Sequence, residues 1–155
     1  MKSIVPSTLL LSSSEIELHY KRPLMDSMYL ISNPEDADTI LRTYIRPEEI
    51  DLCEHFWVIL MTTSNRILCI SKVASGTTVG VQTNLKYIFQ LILKTNAAHV
   101  VLVHNHPGGN LKVSASDIKE TKKFLRLAKL MDVTLLDHII ITSESFSSFA
   151  TERLL

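Results

Sequence analysis

The chain has little of what would place it in a special class. It carries two cysteines, Cys53 and Cys69, in 155 residues. They are too few for a disulfide scaffold and are not spaced as CxxC, so reduced, buried thiols are expected. No apolar run reaches the length of a membrane span. The N-terminal MKSIVPSTLLLSSS lacks the apolar core and small-residue cleavage site of a signal peptide, which makes the cytoplasm the expected location. An excess of one charge is missing as well: 16 basic and 16 acidic residues give a formal net charge of +0. Dedicated DNA-binding domains usually show a basic excess because phosphate neutralisation dominates their affinity, so direct nucleic-acid binding is not expected. The basic set Lys119, Lys122, Lys123, Arg126 and Lys129 has the spacing of a solvated helix face. No repeat or low-complexity run stands out.

What is present is ordinary globular material, 46% hydrophobic and 21% charged. The length suits one domain with a core that needs no disulfide or metal staple, so a bound metal would be functional. Residues 1–30 read as a lead-in, in which Glu15–Tyr20 alternates like a strand, and 31–155 as the domain. Asn33-Pro34-Glu35-Asp36 signals a helix start. The helix runs to about Arg46 with Ala37, Ile40, Leu41 and Tyr44 inward, and Pro47-Glu48-Glu49 marks a short connection. Phe56–Met61 and Ile67–Val73 flank a polar turn and form a hairpin. Asn84 caps a helix from Leu85 to about Lys94, and Ala98–Val103 is a buried strand. Ser114 opens a long amphipathic helix with Ile118, Phe124, Leu125, Ala128 and Met131 as apolar members. Val133–Thr142 is another strand and Phe146–Ala150 a last one. Strands and helices interleave, which predicts an α/β fold with a mixed sheet covered by helices.

The chemistry concentrates in His104-Asn105-His106-Pro107, with Ser114 and Asp117 beyond it. In extended chain, residues i and i+2 project from one face, so His104 and His106 point together at a strand end. Sheet ends in α/β folds are where ligands bind. Pro107 and Gly108-Gly109 turn the chain, and Asp117 falls in the first turn of the next helix. Two imidazoles and a carboxylate with a fourth position open suit a catalytic zinc. Ser114-x-x-Asp117 alone is explained by a capping box, which is compatible with metal binding. A zinc hydrolase also needs a general base, and Glu54 is the candidate, on the face of Phe56, Val58 and Leu60. A strand-edge glutamate facing water explains Glu54 equally well.

This pattern, Glu54, His104-x-His106, ten residues, then Asp117 with Ser114 three before it, resembles the JAMM motif of the JAB/MPN metalloprotease superfamily. EHFWVILMTTSNRIL, NAAHVVLVHNHPGGNLKVSASDIKETKKF and LDHIIITSESFSSFA are similar to its RadC-like branch, long linked by name to DNA repair. The resemblance implies a three-layer α/β/α, cytidine-deaminase-like fold and one Zn²⁺ per chain on His104, His106 and Asp117. It implies Glu54 as general acid/base, Ser114 as hydrogen-bond donor to the water or oxyanion, and amide or isopeptide hydrolysis of a peptide or protein. Its alternative is a non-catalytic scaffold in a protein or DNA-processing complex. Gly108 replaces a serine common in the family, Val113 a proline, and Gln82–Lys86 a Pro-Arg/Lys stretch. The helix-hairpin-helix region of longer relatives has no counterpart in residues 1–30, which further lowers the expectation of DNA binding. A nucleoside deaminase is excluded because neither H-x-E nor P-C-x-x-C occurs. His-Asn-His is not an HNH nuclease signature either, since that set is dispersed over a longer ββα unit. His138 could orient a metal ligand, but a satisfied strand histidine is the favoured reading. His55 and His99 are expected to be structural or exposed.

Overall fold

A computed structural model describes residues 19–78 and 80–155. The chain runs through α1 (Pro34–Tyr44), a single-turn α2 (Pro47–Ile50), β1 (His55–Met61), β2 (Ile67–Ser75) and α3 (Leu85–Thr95). It continues through β3 (His99–Asn105), α4 (Ala115–Leu130), β4 (Thr134–Ile141) and β5 (Phe146–Ser148). The expected strand at Glu15–Tyr20 lies mostly outside the described residues, and His19 and Tyr20 are not in a strand.

The strands form one sheet in the order β2-β1-β3-β4-β5. It is mixed: β3 and β4 run parallel, and the other neighbours are antiparallel. The antiparallel β1–β2 pair is a hairpin, whereas parallel neighbours need a long crossover, which α4 supplies. Each central strand divides its apolar side chains between two clusters. Phe56, Val58, Leu60, Val100 and Leu102 pack with Ile88 and Ile92 of α3 and Phe124 and Ala128 of α4. Trp57, Ile59, Met61, Val101 and Val103 pack with Ala37 and Leu41 of α1 and with Ile45 and Ile50. Both faces of the sheet are covered, so β1 is buried throughout and shows no alternation of exposure. This is the three-layer α/β/α arrangement with a mixed sheet.

Helix ends follow their sequence signals. The Asn33 side chain accepts from Asp36 N–H at α1, and Asn84 accepts from Tyr87 N–H at α3. At α4 the Ser114 hydroxyl accepts from Asp117 N–H while the Asp117 carboxylate accepts from Ser114 N–H, a reciprocal capping box. Some inward assignments are corrected. Tyr44 is 50% exposed, and Ile45, just past the helix end, takes the buried position. Met131 is 41% exposed because α4 stops at Leu130, and the polar Thr121 is buried instead. Both cysteines are free, and they are half-buried rather than buried. The five basic side chains of α4 are exposed, as its solvated face requires. Among the described residues no helix is long and apolar enough to cross a membrane.

One irregularity redirects a side chain. Val100 pairs with Leu135 but Val101 pairs with Asp137, leaving Leu136 as an extra residue in β4. Leu135 faces the α3/α4 cluster, and strict alternation from it would turn His138 to the opposite side. The extra residue restores His138 to the face of its register partner Leu102.

Candidate metal centre

The chain pairs Phe56 of β1 with His104 of β3, with their rings stacked at a centroid distance of 5.9 Å. His104 therefore stands on the α3/α4 face near the end of β3, and it is buried. His106 follows just past the strand, its N–H bonded to Ile141 C=O at 2.9 Å, so the backbone continues alongside β4. Its ring projects beside that of His104, with centroids 4.8 Å apart. Beyond Pro107 the loop doubles back: Gly109 N–H donates to His106 C=O at 3.0 Å, with Gly109 at φ +74°. That conformation favours glycine. The return brings Asn110 C=O to 2.6 Å from His106 Nδ1. A carbonyl oxygen only accepts, so His106 carries a proton on Nδ1, and the neutral ring presents a bare Nε2.

Asp117 completes the group from the first turn of α4. One carboxylate oxygen, Oδ2, accepts Ser114 N–H at 2.7 Å, and the other, Oδ1, lies 3.2 Å from His104 Nε2. The capping box thus aims the carboxylate at the histidines. His106 Nε2 is 3.7 Å from Asp117 Oδ2 and 3.0 Å from His104 Nε2. Tetrahedral zinc with bonds of about 2.0–2.1 Å separates its ligand atoms by roughly 3.3 Å. The observed spacings bracket that value, so this donor set fits a small divalent cation. Burial pushes the Asp117 carboxyl up, but positive charge at His104 Nε2, when a proton sits there in the absence of a metal, and the hydrogen bonds from Ser114 outweigh it and hold the group well below the usual carboxylate range.

Glu54 and Ser114 reach the same place from other elements. Both line a cleft of about 340 Å³ with His104, His106 and Asp117. Glu54 precedes β1 and is half-buried on the face of Phe56. Its backbone is clamped at both ends: Glu54 N–H donates to Thr77 C=O at 2.9 Å, and Gly76 N–H donates to Glu54 C=O at 2.7 Å. Gly76 has to be glycine, since a Cβ there would overlap the Gly80 carbonyl. Gly80 and Val81 form part of the cleft wall. Ser114 is exposed on the rim, its oxygen accepting Asp117 N–H at 3.1 Å.

Two participants, Thr121 and Asn105, are not legible in the sequence, whereas His138 reads there both as a satisfied strand histidine and as a residue that orients a ligand. His138 reaches His104, with His138 Nε2 at 2.9 Å from His104 Nδ1. Its ring stacks on Phe149 at a centroid distance of 4.6 Å, and burial pushes its basicity well below the ordinary histidine value. It is the satisfied strand histidine expected from the sequence, and it also touches a candidate ligand. Thr121 sits under it, one helical turn past Asp117, with its hydroxyl 2.6 Å from His138 Nδ1. The i+4 spacing from Asp117 was the available signal. Asn105, between the two histidines, points to the opposite face. There it accepts His55 N–H at 2.6 Å and donates to Ile50 C=O at 2.6 Å and Cys53 C=O at 2.8 Å. It ties down the residues that lead into Glu54. His55 is buried against Ser75, and His99 bonds Asn65, both apart from the cleft.

Comparison with known proteins bears on this arrangement. Residues 31–154 match the RadC-like JAB domain family. The chain is similar to a UPF0758 protein of Flavobacterium johnsoniae, 34% identical over 79% of this chain and 52% of that one. A UPF0758 protein of Desulforudis audaxviator is 36% identical over 80% of this chain and 53% of its own length. A third, from Desulforamulus reducens, is 28% identical over 100% of this chain and 68% of its own. The chain spans about half the length of the first two relatives.

Proposed function

The chain belongs to the RadC-like JAB domain family within the JAB/MPN superfamily, and from that premise we propose that it is a zinc-dependent hydrolase of amide or isopeptide bonds. His104, His106 and Asp117 hold one zinc ion in this reading. The observation that carries it is the approach of His104 Nε2 and His106 Nε2 to 3.0 Å, with the Asp117 carboxylate 3.2 and 3.7 Å away. His106 Nε2 is a bare acceptor, the carboxylate accepts only, and acceptors crowded this closely call for a cation among them. When bound, zinc supplies the positive charge that makes water nucleophilic near neutral pH and polarises a carbonyl.

The protein's own residues do the rest. Glu54, held between β1 and the Gly76–Thr77 turn, takes the proton of the attacking water and returns it to the leaving amine. Ser114 donates to the oxygen on which negative charge develops. Phe56, which lines the cleft, stacks its ring on that of His104. The cleft, lined by Gly80, Val81, Pro107, Gly108, Asn110 and Lys112 around these groups, takes a peptide or protein segment. Retention of Glu54 and Ser114 on one cleft with the ligand set favours an enzyme over a scaffold, which has no use for a proton acceptor there.

The test is metal analysis together with hydrolysis of a peptide and isopeptide panel by wild type and Glu54→Gln. Wild type is expected to retain one zinc per chain. The variant is expected to keep its zinc and fold and to lose about 10²–10⁴-fold in rate, the usual share of a general base. Wild-type protein prepared without chelator that takes up no zinc, or a variant as active as wild type, ends this reading.

A further inference from the structure

His138 lies outside the ligand set, yet the bulge in β4 turns it onto His104. We infer that Thr121 and His138 are positioning residues that hold His104 in its Nδ1–H form, so that Nε2 is the atom offered to a metal; this rests on the metal reading of the site.

The reasoning counts protons along a chain of contacts. The Thr121 hydroxyl is 2.6 Å from Asp117 C=O, which only accepts, so its single proton is committed there. Toward His138 Nδ1, at 2.6 Å, the same oxygen acts as acceptor, and His138 Nδ1 carries a hydrogen. A neutral His138 then has a bare Nε2. That atom, 2.9 Å from His104 Nδ1, accepts the His104 Nδ1 proton. The opposite polarity would require an imidazolium with 1% exposure between Phe56 and Phe149, a costly place for charge. His104 Nε2 is left free, facing Asp117 and His106. The second histidine reaches the same state by other means, its Nδ1–H committed to Asn110 C=O. Both rings are set by a partner behind them, one in the core and one in the loop. Thr121 further returns the chain of contacts to the backbone of Asp117, so ring and carboxylate are fixed by one helical turn.

Two readouts test this on the whole chain. Nitrogen-15 NMR of histidine-labelled, metal-free wild type is expected to show neutral His104 with its hydrogen on Nδ1. A neutral His104 protonated on Nε2 overturns the inference. Zinc affinity by chelator competition is expected to fall about 10–100-fold in His138→Phe, which keeps an aromatic ring beside Phe149. Thr121→Val should show a smaller loss, and His138→Gln, whose carbonyl can accept from His104 Nδ1, should recover most of the affinity. If His138→Phe does not fold, Thr121→Val and the wild-type spectrum decide. Wild type that binds zinc while Thr121→Val and every folded His138 variant bind it equally tightly overturns the relay alone. Wild type that binds none overturns the metal reading, and the NMR result then decides whether the relay exists without it.

Discussion

The end of β3 presents two faces that differ in how their polar groups are satisfied. On the α1 face Asn105 is fully buried, and its amide is used by His55 N–H, Ile50 C=O and Cys53 C=O. On the α3/α4 face His104 and His106 have partners behind them and bare or ion-seeking atoms in front, converging with Asp117. Neighbouring residues of one strand thus carry opposite meanings. A buried polar group whose bonds are all made within the protein is part of the framework. A cluster whose acceptors meet without a donor is unfinished until something binds. The contrast separates Asn105 from its neighbours, though all three are polar and lie within one tripeptide.

Breaking the unfinished side should have the largest effect. His106→Ala is expected to abolish zinc retention, measured by elemental analysis, while the metal-free variant melts close to metal-free wild type. The ring sits at the cleft rather than in either apolar cluster, so the expected loss is at the low end of the about 0.5–3 kcal/mol of ordinary substitutions. Breaking the finished side should do the reverse. Asn105→Ala strands three backbone groups, two of them in buried hydrogen bonds, and is expected to cost about 3 kcal/mol by denaturant unfolding. For a chain of this size that is roughly a 6–12 °C fall in Tm. Zinc affinity in the still-folded variant should drop far less than in His106→Ala. Equal zinc loss in both variants would erase the distinction between the faces.

The smallest effect, in pH, sharpens the comparison. His138 is neutral when folded because burial holds its pKa well below the ordinary 6.5. Below about pH 6.5 the unfolded chain therefore binds a proton that the folded chain refuses, and stability falls as pH falls, by at most about 1.4 kcal/mol per pH unit. Metal-free wild type should lose Tm from pH 7 to 5, and His138→Phe should flatten that slope. Asn105→Ala should lower the whole curve and leave the slope, since an amide does not titrate.

Much of this was legible in the sequence because it is local. The His104-x-His106 spacing puts two rings on one face of any extended chain, and Ser114-x-x-Asp117 writes its own capping box. The Asn33, Asn84 and Ser114 starts and the β1–β2 hairpin are likewise short-range signals. Tyr44 and Met131 were misassigned because helical periodicity carries no information on where a helix ends against its neighbours. Glu54 has two equal readings in the sequence; the sheet order, with β1 beside β3, sets it on the cleft that the two histidines line. Thr121 is not among the apolar members read from the sequence of this helix, and only the packing of α4 over His138 takes it inside.

By itself the amino-acid order determined which side chains share a strand face or a helical turn, because rise and twist per residue are properties of the backbone. Only the tertiary structure decided which faces meet: Glu54 across from the histidines, Asn105 against the turn before β1, His138 against His104. Those encounters depend on strand order and on one extra residue at Leu136. Register is settled by the burial of whole faces, and no stretch of neighbouring residues contains that information.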